Sequence, residues 1–297
     1  MDSDKISNLN KYTESSMSFI NAIRTVMQTY GYGPAEGSPA SVDDAEPHYS
    51  EIVWQGPLHK QCDVHAQMSL LASIQYASLA IEDASRRPAA FMVLVRAAFE
   101  AAASAHFLTS PKIGSITERA RRGVNELLYG WFQDWKTVND YYGYAEAENT
   151  LQHIDKILDK TSAYPELGQI RRVHEHRRPR APYIGDERPT ISSMIDDLFP
   201  TGKRFGRYLY SAVSSTAHSQ PFGFILTGEQ KVLPGGTIGL DQEVKLPLDK
   251  VASFVIAVLS AIWTAETSVF ARYGWAFKDD ADKANQAFND CLEMLNP

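Results

Sequence analysis

Arg96 and Glu100 are the only charged residues in an otherwise apolar segment, residues 91–108. Four residues apart, they would share one face of a helix. A buried charge is costly unless it is paired and hydrogen-bonded. The spacing therefore predicts one of two arrangements. Either the two residues form an internal ion pair that fixes helix packing, or Arg96 holds an anion and Glu100 is a base or a metal ligand.

The segment 204–218 carries a stripe of polar side chains at helical spacing. His218 lies above Ser214 and Ser215, and the stripe continues through Ser211 to Arg207. One interpretation is a hydroxyl-lined helix contact in which His218 interacts with the C-terminal end of the helix dipole. The other makes His218 a general acid–base catalyst, with Ser214 or Ser215 as its hydrogen-bonding partner.

Residues 171–180 contain five arginines and two histidines within an acidic protein. Charge runs usually face water, so a solvated surface segment is one interpretation. Because arginine binds phosphate through two parallel hydrogen bonds, a phosphate or RNA contact is the other. Arg171, His176 and Arg177 are its candidate binding residues.

Composition limits the remaining function classes. The formal net charge of −7 argues against broad non-specific binding to DNA. Two widely spaced cysteines, Cys62 and Cys291, and an N-terminus with no apolar signal segment predict an intracellular, cytoplasmic protein. The apolar stretch 251–273 includes Glu266 and several hydroxyls, so it is interpreted as a core helix, and no membrane association is predicted. Gly-rich phosphate loops, cysteine clusters and zinc motifs are missing, and the sequence predicts no cofactor and no metal site.

Apolar periodicity and capping signals place these residues on helices. Ser115 and Glu118 form a capping box that opens one of them. Residues 31–57, rich in Gly and Pro, predict a long N-terminal loop, and Pro234-Gly235-Gly236 predicts an irregular or hairpin insertion near 222–244. The predicted helices span residues 7–30, 61–83, 88–108, 115–135, 145–159, 165–174, 192–198, 201–219, 248–274 and 279–295.

This pattern predicts an all-α protein, an up-and-down helical bundle with those two insertions. Residues 1–60 would supply the N-terminal helix and long loop. Residues 61–297 would form the bundle, and the whole chain is expected to be one domain.

Three motifs together resemble bacterial helical proteins of the HEPN-like superfamily: Arg96-x-x-x-Glu100, Glu118-Arg119, and Tyr210-x-x-x-Ser214-x-x-x-His218. The resemblance covers residues 61–135 and 200–220. Many HEPN proteins are metal-independent ribonucleases of toxin–antitoxin or phage-defence systems. Their signature is an arginine followed, after four to six residues, by a histidine.

Arg171 and His176 fit that signature, whereas the helix that ends at His218 has Ser211, Ala212 and Val213 where the arginine is expected. The resemblance implies that His218 or His176 acts on the RNA 2′-hydroxyl and that an arginine stabilises the charge at phosphorus. It also implies a homodimer.

Three functions therefore remain open. The first is a HEPN-like ribonuclease or nucleotide-binding protein, with RNA or a nucleotide as partner. The second is a helical enzyme acting on a small apolar metabolite, in a terpene-like pocket lined by Phe91, Phe99, Tyr210 and Trp263. The third is a non-catalytic helical interaction module.

Overall fold

A computed structural model describes residues 3–53, 56–84, 88–172, 180–199, 204–217, 230–232, 238–240, 246–276 and 278–295. The predicted all-α class is confirmed, since 77% of the structure is helical. The α-helices of the described residues are α1 Ser3–Thr29, α2 Pro39–Asp44, α3 Lys60–Asp83, α4 Pro88–Thr109, α5 Ile116–Tyr142, α6 Tyr144–Thr161, α7 Ile191–Asp197, α8 Phe205–Ala217, α9 Leu248–Tyr273 and α10 Lys278–Leu295.

Two short antiparallel strand pairs accompany the helices. β1 Ile170–Arg171 pairs with β2 Tyr183–Ile184. β3 Gln230–Val232 pairs with β4 Ile238–Leu240. The second pair lies in the predicted insertion near 222–244, whose other residues fall outside the described ranges.

The main hydrophobic core is formed by α1, α3, α4, α8, α9 and α10. Its largest wholly buried rings include Phe19, Phe91, Phe99 and Phe270. Two of its helices are long and apolar enough to cross a membrane, by length and composition alone. These are Ala90–Thr109 and Asp249–Tyr273, and 50% and 67% of their windows are buried inside the chain. Packing within the protein therefore accounts for much of their apolar character.

A second core lies between α5, α6 and the β1–β2 pair. Val124 and Leu128 of α5 pack there with Ile157 of α6 and Ile184 of β2. Of the capping box predicted at the start of α5, the bond made by the Ser115 side chain is formed. Ser115 Oγ accepts a hydrogen bond from the Glu118 backbone N–H at 3.2 Å. The Glu118 carboxylate is paired with Arg121 and Arg122 of the same helix.

Two predicted segments differ from the structure. The loop 31–57 contains α2, which Ser38 caps and Pro39 opens, and a 3-10 turn at Pro47–Tyr49. The helix predicted over 165–174 is wrong. Only Pro165–Leu167 forms a 3-10 turn, and β1 follows it. Gly168 separates the two with φ of +109°, a backbone conformation that ends helical geometry.

An ionic network inside the protein joins the two cores. Arg272 of α9 donates from Nε and Nη2 to Asp63 of α3 at 2.9 and 2.8 Å. Its Nη2 also lies 2.7 Å from Asp43 of α2. Asp43 in turn accepts two hydrogen bonds, at 2.6 and 2.8 Å, from Arg119 of α5. The α2, α3, α5 and α9 helices are therefore tied together by charge pairs.

The same helices approach closely at Gly123 of α5. A Cβ atom at that position would lie 2.9 Å from the Cα atom of Cys62 and from the carbonyl carbon of Gln61. These are backbone atoms of α3, which cannot move aside without shifting the helix. The α3–α5 crossing therefore requires glycine at position 123.

Gly123→Ala is expected to lower the free energy of unfolding by roughly 1–3 kcal/mol, because the added methyl group forces the two backbones apart. Chemical denaturation measures the change. Gly130→Ala is the matched control on the same helix, where a Cβ meets no atom within 4 Å. There alanine should stabilise the helix by roughly 0.5–1 kcal/mol. Equal effects of the two substitutions would contradict the close crossing.

Candidate functional site

The first candidate pair, Arg96 and Glu100, forms an ion pair on α4. Arg96 Nε lies 2.8 Å from Glu100 Oε1, and the two side chains are 25% and 36% exposed. The helix brings them together because residues four apart share a face. Of the two arrangements that the spacing allowed, the ion pair is formed, at the edge of the core instead of within it.

Tyr210 of α8 joins this pair. Its hydroxyl donates a 2.8 Å hydrogen bond to the same Glu100 Oε1 atom. The Arg96 guanidinium also lies over the Tyr210 ring, 5.7 Å from its centroid. We call Arg96, Glu100 and Tyr210 the α4–α8 cluster.

Electrostatics favours the donor role of Tyr210 in this cluster. Burial raises the pKa of Tyr210, and the hydrogen bond and charge of Glu100 raise it further. For Arg96, burial lowers the pKa, but the hydrogen bond and charge of Glu100 outweigh it, so the pKa is raised. A protonated phenol and a charged guanidinium thus both donate to one carboxylate oxygen. The arrangement joins α4 to α8 through hydrogen bonds to Glu100.

Three further candidate residues, Arg207, Ser214 and Ser215, also lie on α8. Ser214 and Ser215 are half-buried near the end of the helix. Arg207 pairs with Asp196 of α7, whose carboxylate accepts from the Arg207 backbone N–H at 2.6 Å and lies 3.2 Å from its Nη2 atom. Arg207 therefore tethers the first turn of α8 to α7. His218 lies outside the described residues.

The arginine-rich segment is attached to the other core. Arg171 is exposed in β1, next to Ile170, which packs against the second core. It therefore does not join the α4–α8 cluster, which borders the main core. His176 and Arg177 lie outside the described residues.

The structure reveals a groove that sequence reasoning did not predict. It runs between the C-terminal half of α5 and the segment 180–191, and its volume is about 480 Å³. We call it the α5 groove. Its polar and aromatic lining residues are Asn125, Tyr129, Phe132, Gln133, Lys136, Arg180, Tyr183, Glu187, Arg188 and Thr190.

Asn125 fixes the far wall of the groove against α5. Its buried amide donates to the carbonyl oxygens of Ile184 and Asp186, both at 3.0 Å. It also accepts from the Ile184 N–H at 2.8 Å. A buried amide with all these bonds holds a segment that has little regular structure of its own.

Arg188 and Tyr129 are neighbours in the lining of the groove. Its guanidinium makes a two-point pair with Glu126, at 2.6 and 3.1 Å, and both side chains are mostly buried. The same guanidinium covers the Tyr129 ring, 4.5 Å from its centroid. The charge of Arg188 is thereby neutralised by Glu126.

Lys136 and Arg180 provide net positive charge at the groove. Both side chains are exposed, and neither has an ion-pair partner among the described residues. Glu187 is the one acidic residue in the described lining. Two cations and one carboxylate leave the lining positive in a chain whose net charge is −7.

One signal in the sequence could have indicated this groove. Tyr129, Gln133 and Lys136 follow the i, i+4, i+7 spacing of a single helix face. The opposite wall had no such signal, because its position depends on Asn125 and the β1–β2 pair.

Comparison of the chain with family models, with curated proteins and with solved structures finds no match. Within the described ranges, no group of three or more His, Cys, Asp or Glu side chains is placed to hold a metal ion.

Phe91 and Phe99, predicted as pocket residues, are wholly buried, and Phe99 packs against Phe199.

Tyr210→Phe is expected to lower the free energy of unfolding by about 1 kcal/mol, because Glu100 loses a hydrogen-bond donor. Tyr208→Phe is the control, since Tyr208 lies on the same helix and is 59% exposed. Urea denaturation of both variants measures the difference. If both variants match the wild-type protein, the hydrogen bond between Tyr210 and Glu100 contributes nothing.

Proposed function

We propose that this chain is a HEPN-like helical protein that binds RNA, or a nucleotide unit of it, in the α5 groove. The observation that carries the proposal is the pair of exposed cations, Lys136 and Arg180, beside aromatic rings in a chain that is acidic overall. Grooves for single-stranded nucleic acid combine positive charge along the backbone with flat surfaces for the bases.

Each part of the groove suits one part of a nucleotide. Lys136 and Arg180 are exposed in the lining, and in this proposal they contact phosphate oxygens. Tyr183 is partly exposed in the lining and offers a ring on which a base can stack. A volume of about 480 Å³ lies within the usual range for a small-ligand site, which is roughly 300–1,000 Å³.

Two described arginines of the segment 171–180, Arg171 and Arg180, belong to this positive region. Arg180 is the last residue of that segment, and Arg171 lies in β1 opposite Tyr183 in the strand register. Arg172 is already paired with Asp155 and Asp159 of α6, so it is a poorer candidate for phosphate. Arg171 therefore continues the positive surface from the groove along the strand pair.

The HEPN resemblance supports ribonuclease activity as the reaction that follows binding. It assigns the general acid–base role to His218 or His176 and requires no metal ion. In this proposal the α5 groove holds the RNA backbone, and the histidine acts on a 2′-hydroxyl. Binding and cleavage are separable, so two experiments test them.

The double substitution Lys136→Ala with Arg180→Ala is expected to weaken binding of a labelled single-stranded RNA about tenfold. Each lost phosphate contact should also reduce the slope of log affinity against log salt by about 0.7. Fluorescence anisotropy across a salt series measures both quantities.

Lys283→Ala is the matched control. Lys283 is an exposed lysine on α10, a helix that packs on α1 and α9. Its loss should leave both affinity and slope unchanged. An equal loss in the control and the double variant would mean that binding follows overall charge, and the groove would then have no specific role.

The wild-type protein is expected to cleave mixed cellular RNA in the presence of a metal chelator, and His218→Ala should abolish cleavage. His176→Ala tests the second histidine in the same assay. Gel analysis of the RNA gives the readout, with anisotropy in parallel. RNA binding without cleavage by the wild-type protein would remove the ribonuclease proposal and leave the binding proposal intact.

A further inference from the structure

One side of α3 is both exposed and apolar. Val64, Met68, Tyr76 and Leu79 are each between 38% and 62% exposed. Their spacing places them along one side of the helix over about 22 Å. Single exposed apolar side chains are ordinary, but a continuous row of them marks an interaction surface. We define the α3 face as the surface of Val64, Met68, Leu71, Ala72, Gln75, Tyr76 and Leu79.

The other sides of α3 are covered by neighbouring helices. The helix packs on α1, α4, α5 and α9. Its buried residues Leu70, Ile74 and Ile81 belong to the main core. The α3 face is thus the side of the helix that the described elements leave open to solvent.

The α3 face carries no charge along its length. Residues 64–81 contain no Asp, Glu, Lys or Arg. Burial lowers the pKa of His65, so its imidazole is neutral at neutral pH. Two copies of a chain with net charge −7 repel each other, and the repulsion is least where uncharged surfaces meet.

The two ends of α3 carry charges of opposite sign. Lys60 lies in the first turn, exposed beside Asp44 at 3.0 Å. Glu82 lies in the last turn, where it is exposed and has no ion-pair partner within the described part of the chain. If two α3 helices pack antiparallel, the start of each lies beside the end of the other. Lys60 of one copy then lies near Glu82 of the second copy at both ends of the contact.

The same antiparallel alignment matches the apolar positions. With Leu71 and Ala72 at the centre, Val64 lies opposite Leu79 of the second copy. Met68 lies opposite Gln75 of the second copy. A twofold axis repeats each match, as an interface between identical copies requires. The small side chain of Ala72 lets the two helices approach closely at the centre.

We propose that the α3 face is a homodimer contact, in which the α3 helices of two copies pack antiparallel about a twofold axis at Leu71 and Ala72. The HEPN resemblance implies a homodimer without assigning its surface, whereas this assignment rests on the exposure and charge pattern of α3. The described lining of the α5 groove contains no residue of α3, so the contact does not depend on RNA binding.

The size of the contact sets the expected affinity. Two helices in contact over about 22 Å bury less than about 1,200 Å² in total, which is the lower end of specific interfaces. A dissociation constant on the order of 10 µM is therefore expected. Sedimentation velocity of the full-length protein, from about tenfold below to about twentyfold above that constant, should show a monomer–dimer equilibrium.

Met68→Glu is expected to weaken dimerisation at least about tenfold, because it places an unpaired charge inside the contact. Leu292→Glu is the matched control, since Leu292 is an apolar residue 47% exposed on α10. Its dissociation constant should equal that of the wild-type protein. Circular dichroism and the melting temperature show whether each variant is folded.

A charge swap tests the antiparallel register. In the double variant Met68→Glu with Gln75→Lys, the new carboxylate of each copy faces the new ammonium group of the other. Dimerisation should therefore return to within about threefold of the wild-type value. Within one helix the two positions are about 10 Å apart, so they do not pair with each other. Met68→Glu with Leu292→Lys has the same net charge and should not recover.

A wild-type protein that stays monomeric at the highest concentration would overturn the proposal. So would a folded Met68→Glu protein that dimerises like the wild-type protein, because another face would then form the dimer. Loss of dimerisation in Met68→Glu without recovery in the double variant would overturn the antiparallel register. All of these measurements are made without RNA, so their outcomes are independent of RNA binding.

Discussion

The charge of Arg272 must be neutralised inside the protein, and this requirement positions four helices. Burial by itself lowers the pKa of Arg272, but the hydrogen bonds and charges of Asp63 and Asp43 outweigh it and raise the pKa. The guanidinium is therefore charged, and both carboxylates must lie beside it. Asp43 also pairs with Arg119, so α2, α3, α5 and α9 share one network. Removing one member of such a buried network typically costs roughly 3–5 kcal/mol, because its partners remain buried and charged.

The network acts together with a steric constraint at the same helix crossing. Gly123 lets the backbone of α5 contact that of α3 at Cys62, the residue next to Asp63. The α3 helix belongs to the main core and α5 to the second core, so their crossing is where the two cores are joined. Ion pairs specify the geometry of this junction, and the missing side chain permits its short distance. Apolar burial alone would allow other crossings, because it is not directional.

The α5 helix also connects the ionic network with the proposed groove. Arg119, near its start, pairs with Asp43, whereas Lys136, near its end, lines the α5 groove. Along a helix that separation is about 25 Å. The α4–α8 cluster has a different character. Its carboxylate already accepts from Arg96 and Tyr210, which makes it a structural link between helices.

The sequence by itself determined the helical class, most helix bounds and the placement of Arg96 and Glu100 on one helix face, because these depend on spacing along one chain segment. Two helix starts show the same local control. Ser115 caps the start of α5 with its side chain, and Pro39 occupies the first turn of α2. Tertiary structure decided the contacts between distant segments: Tyr210 with Glu100, Asn125 with the strand at Ile184, and Arg272 with Asp63 across 209 positions. Such pairs leave no periodic signal, since each partner appears in sequence as one isolated polar residue. The far wall of the α5 groove is held by contacts of that kind, and so the groove as a whole could not be predicted from the sequence.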